Sequence, residues 1–69
     1  MNNNITQQEL FTRLQNIATA EARTFDEAVK LRTALADVEF LAEQTDIKIP
    51  RSVIEITRYH IDRQLKVHR

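Results

Sequence analysis

Apolar residues recur along this chain at intervals of three and four, the spacing that gathers them on one side of an α-helix. Over residues 7–22 the pattern predicts a first helix, with Leu10, Phe11, Leu14, Ile17, Ala18 and Ala22 on one face. Glu21 falls inside that stripe, so the stripe is expected to be less buried near the end of the helix. Over residues 50–67 a third helix is predicted, with Val53, Ile54, Ile56, Ile61, Leu65 and Val67 spread over a broad apolar arc. Arg51, Glu55, Arg58, Asp62, Lys66 and Arg69 lie opposite.

The helix predicted over residues 25–45 differs from its neighbours. Ala28, Leu31, Leu35, Val38 and Ala42 repeat in alternating steps of three and four, a seam like that of a coiled coil. A second, narrower stripe holds Phe25, Val29, Ala36 and Phe40, and Arg32, Glu39 and Glu43 lie between the two. A surface helix in a small monomer needs one apolar face. This one has two.

Helix starts are marked by three hydroxyl–x–x–glutamate patterns: Thr6 to Glu9, Thr24 to Glu27 and Ser52 to Glu55. In a capping box the hydroxyl accepts from an orphan backbone N–H and the glutamate reaches back to the cap residue. Pro50 competes as the start of the third helix, since a missing N–H costs nothing in the first turn. Proline also pushes Ile49 toward extended geometry, which makes Thr45–Pro50 a linker. Ile47 and Ile49 are expected to fold back as plugs at the bundle end. Two arrangements fit. In one, Thr24 breaks the chain and three helices form a bundle. In the other, residues 7–45 form one long rod in a helical hairpin, with Phe11, Leu14, Ala18, Ala22, Phe25, Val29, Ala36 and Phe40 on one seam. The capping box at Thr24 and Arg23 before it favour the break.

Composition narrows the picture. The chain has 69 residues, no glycine, no cysteine and a single proline. Without glycine most hairpin turns lack their usual residue, so the expected fold is all-α in one domain. A core this small yields only about 3–5 kcal/mol, and disulfides are excluded, so self-association is the expected source of further stability. The start is polar, with Asn2–Asn4 expected to belong to a mobile stretch over residues 1–5. No secretory leader or membrane span is read, and a cytoplasmic location is expected.

Net charge is zero but unevenly placed. Through Asp46 there are four basic and eight acidic residues; after it, six basic and two acidic. Such asymmetry marks either a polyanion-binding end or an attraction between segments or copies.

Candidate chemistry is sparse. Ser52, the only serine, is better explained as a helix cap than as a nucleophile, and phosphate-binding loops need glycine. His60 and His68 are eight apart, without the i, i+4 spacing by which one helix chelates a metal. His60 lies within the apolar arc and is expected to be partly buried and hydrogen-bonded nearby. Arg51–Glu55, Glu55–Arg58, Arg58–Asp62 and Asp62–Lys66 suggest a solvated ion-pair ladder. Glu39 and Glu43 repel each other unless a cation from Arg32 or the third helix relieves them.

These features point to a small non-enzymatic regulatory or adaptor protein, of bacterial or phage type, acting by protein–protein interaction as a homodimer or higher oligomer. No catalytic residue, metal, cofactor or small-molecule substrate is expected. The interface would be Phe25, Val29, Ala36 and Phe40. The alternative is a nucleic-acid-binding protein using Arg51, Arg58, Tyr59, Arg63, Lys66 and Arg69.

Overall fold

A computed structural model describes residues 5–69 as three helices, α1 (Gln7–Thr19), α2 (Phe25–Gln44) and α3 (Arg51–Val67), each packed on the other two. The bundle is the first of the two arrangements expected from the sequence. Of the expected mobile stretch 1–5, residues 1–4 lie outside the described residues. Ile5 packs against the core.

The start of α1 carries a complete capping box. Thr6 Oγ1 accepts from the Glu9 N–H at 3.1 Å, and Glu9 Oε1 accepts from the Thr6 N–H at 2.9 Å. Ile5 and Leu10 occupy the two positions of a hydrophobic staple, one before the cap and one on the fourth residue of the helix. At α2 the box is shifted. Thr24 Oγ1 accepts from the Glu27 N–H at 3.2 Å, but the Glu27 carboxylate accepts from the Arg23 N–H, at 2.7 Å. At α3 the expectation for Ser52 is corrected: Pro50 is the N-cap residue, no side chain caps the helix, and Ser52 is exposed within its first turn. Proline's missing N–H and its φ of −55° make it the better boundary.

The exit of α2 shows how a chain without glycine turns. Asp46 adopts φ 58°, the left-handed region that follows many helices. The Ile47 N–H donates to Ala42 O at 2.9 Å and the Asp46 N–H to Glu43 O at 3.3 Å, the paired bonds of a Schellman motif. Aspartate tolerates this conformation better than most residues. The turn swings Ile47 and Ile49 back against the core, as expected.

The core is aliphatic. Leu10, Leu14 and Ile17 of α1 meet Leu35, Val38 and Ala42 of α2 and Ile61 of α3. The first α2 seam is therefore the core seam, with Leu31 half-buried on it. Thr57, unremarked in the sequence, is also buried; its hydroxyl donates to Val53 O at 2.8 Å, inside its own helix. This bond lets a polar residue occupy a core position without an unsatisfied group.

The arc expected of the third helix is narrower than predicted. Ile61 is buried and Ile54 and Leu65 are half-buried, but Val53, Ile56 and Val67 are exposed, the last two at 68% and 75%. Two neighbouring helices cover only part of a broad arc. Phe11 also sits at the edge of the core, 38% exposed. No described helix is long and apolar enough to cross a membrane.

Replacing Asp46 by glycine removes the side-chain cost of the left-handed turn. Asp46→Gly should leave the fold intact and raise stability by up to about 1 kcal/mol, whereas Asp46→Val should lower it by about 1–2 kcal/mol. Urea denaturation followed by circular dichroism measures both.

Candidate functional site

Two regions have the makings of a site: the polar edge of α3 against the α1–α2 connection, and the outer face of α2. The first is built from backbone groups released when α1 stops. The sequence pattern carries the first helix to residue 22, but α1 ends at Thr19 and Ala20 is extended, with φ −74° and ψ 145°. This corrects the predicted boundary and takes Glu21 and Ala22 off the helix. The liberated peptide groups are captured by α3. Gln64 Nε2 donates to Ala20 O at 3.0 Å, and its Oε1 accepts from the Ala22 N–H. His60 Nε2 lies 2.7 Å from Ala20 O, and His68 Nε2 2.8 Å from Ala22 O. A carbonyl oxygen only accepts, so each imidazole carries its proton on Nε2 and donates. His60 and Gln64 crowd to 2.7 Å because both donors converge on one carbonyl.

His60, Gln64 and His68 fall at i, i+4 and i+8, one row along α3. The expectation that His60 would be half-buried and hydrogen-bonded nearby is met, and its partner is a backbone carbonyl 40 residues away. Gln64 went unnoticed in the sequence. Its signal was the spacing alone: a third polar side chain in register with the two histidines, beside an apolar arc. Glu21, Arg63 and Val67 join this row around a shallow depression. Its polar groups are largely engaged with the connection. Among the described residues no group of three or more His, Asp or Glu side chains is arranged to hold a metal ion.

The outer face of α2 is different. Phe25, Val29, Ala36 and Phe40 are all exposed, the three larger ones at 43%, 40% and 60%. Their spacing brings them onto one strip of the helix surface, directed away from the core seam. Phe40 also lines a depression of about 510 Å³ with Ile5, Leu41 and Ile47. The strip is thus a row of exposed apolar side chains, broken between Val29 and Ala36 where Arg32 and Thr33 are exposed, with Glu39 and Glu43 alongside.

The residues proposed for nucleic acid, Arg51, Arg58, Tyr59, Arg63 and Lys66 on α3 and Arg69 just past its end, are exposed. The expected ion-pair ladder is absent. Among the described residues the one ion pair is Arg58 with Glu39 of α2, at 3.0 Å. Arg58 supplies the cation that relieves Glu39, drawn across the bundle rather than along its own helix. Both groups are substantially exposed, so the pair fixes orientation more than it stabilises.

No protein-family model matches the chain, and comparison with curated proteins and with solved structures likewise finds no match.

The amide of Gln64 bonds two backbone groups at once. Gln64→Ala should therefore lower stability by about 1–3 kcal/mol. Native-state hydrogen exchange should show the Ala22 amide losing protection ahead of the amides in the middle of α2.

Proposed function

We propose that this protein is a small adaptor or regulatory module, without catalysis of its own, that works in the cytosol by binding protein. Its contact surface is the strip formed by Phe25, Val29, Ala36 and Phe40, and the chain self-associates through it. One observation carries this reading: the core contains no aromatic side chain, while Phe11, Phe25, Phe40 and Tyr59 are all exposed. Aromatic residues are the largest source of burial energy available to a short chain and dominate the anchors of protein interfaces. Leaving them outside is costly for an isolated copy and favourable for one that meets a partner.

Binding of nucleic acid by α3 has less support. Glu55 and Asp62 are interspersed among Arg51, Arg58, Tyr59, Lys66 and Arg69, and Arg58 is already paired with Glu39. Phosphate contacts demand a field of one sign, and this face is mixed.

Light scattering over a range of concentrations tests the proposal. The wild-type chain should associate, and Phe40→Glu should give a folded monomer with unchanged helical circular dichroism. Association that survives Phe40→Glu would remove the α2 strip from the interface. Retention on mixed DNA or RNA that falls steeply with salt would favour the polyanion reading instead.

A further inference from the structure

The strip on α2 has a symmetry that identifies its occupant. Its four apolar positions are separated by four, seven and four residues. That order is the same read in either direction, with its centre between Arg32 and Thr33. A two-fold interface requires that whatever residue i meets on the second copy, that residue must meet i in return. A strip with palindromic spacing meets this condition when two copies of the helix lie antiparallel. Phe25 then faces Phe40 of the second copy, and Val29 faces its Ala36. All eight side chains are matched, large with large and small with small, over about 22 Å of helix.

The charges beyond the two ends agree. Glu43 lies in line with the strip, one turn past Phe40, where it is exposed and without an ion-pair partner among the described residues. Arg23 lies just ahead of Phe25, also exposed and also without one. The same two-fold brings Glu43 of each copy beside Arg23 of the other and beside the N-terminus of its α2, where the helix dipole favours an anion. A parallel pairing would instead set Glu43 against Glu43 and Arg23 against Arg23. Arg32 lies beside the axis and would meet its own counterpart. It lines a depression that also holds Asp62 and the Glu39–Arg58 pair, so Asp62 is a carboxylate of its own chain to turn toward.

We infer that the α2 strip is covered by a second copy of this chain, antiparallel about a two-fold axis between Arg32 and Thr33, with Glu43–Arg23 pairs closing both ends. This rests on the proposal that the chain self-associates through that strip, and it adds the geometry. The contact is a single helix pair, below the size of a standard stable interface, so the dimer exchanges readily.

A charge swap separates the geometry from the parent proposal. Glu43→Arg and Arg23→Glu, each alone, should weaken self-association about tenfold, since each places like charges together twice per dimer. Mixed, the two variants should recover wild-type affinity as a heterodimer, because one cross-pair keeps its native Arg23–Glu43 form and the other is restored with reversed sign. A spin label at Gln44 should report a separation of about 35 Å between copies, for 23 residues of axial offset. A wild-type dimer that Phe40→Glu dissociates, but that gives a short Gln44 distance and is not weakened by either charge variant alone, would overturn the antiparallel geometry and leave the strip as the interface. A wild-type chain that stays monomeric from micromolar to millimolar concentration would overturn both self-association and the geometry.

Discussion

The bundle depends on what happens to the peptide groups between α1 and α2. Residues 7–45 contain neither glycine nor proline, and the helical phase runs through Ala20 to Thr24 without contradiction. An uninterrupted helix would satisfy those peptide groups by itself. Ending α1 at Thr19 releases them, and partly buried backbone groups must find partners or cost several kcal/mol. His60, Gln64 and His68 provide them, accepting from Ala22 and donating to both Ala20 and Ala22. The fold is thereby tied through a polar contact between segments forty or more residues apart. With the connection held against α3, α2 turns back on α1 and the three aliphatic faces meet.

A core assembled this way is small. It consists of leucine, isoleucine, valine and alanine, with Thr57 admitted because its hydroxyl is satisfied within α3. Short chains bury a modest fraction of their surface and are marginal for that reason. Here the shortage is made sharper by placement, since all four aromatic side chains lie outside the core. If the α2 strip is covered by a second copy, folding and association are thermodynamically linked, and the apparent stability rises with concentration. The uneven charge along the chain belongs to the same account. The acidic side chains of α2 and the basic ones of α3 form an ion pair within the molecule only at Glu39–Arg58, and Glu43 and Arg23 are exposed.

The contrast between α2 and α3 explains where reasoning from pattern succeeds. On α2 the apolar positions divide into a tight seam and a separate strip, and the structure buries one and exposes the other. On α3 they form one broad arc, and periodicity cannot say where neighbouring helices stop covering it. Val53, Ile56 and Val67 therefore lie outside a core to which their spacing assigned them. The ion-pair ladder failed for a related reason. Spacing of three or four permits contact between exposed side chains, but such pairs are weak, and Arg58 is drawn instead to a carboxylate on another helix.

By itself the sequence determined what local physics determines: an all-helical chain, two starts capped by threonine that favour a break at Thr24 without excluding a rod, a stop before Pro50, a core seam on α2 and a second apolar strip beside it. These follow from side-chain spacing, hydroxyl caps and the geometry of proline, all set within a few residues. Tertiary structure alone decided that α1 ends at Thr19, that Gln64 matters as much as the histidines, that Thr57 is buried, and that much of the α3 arc is bare. Each of those depends on which distant group arrives to satisfy a peptide or cover a side chain, and no interval along the chain encodes that arrival.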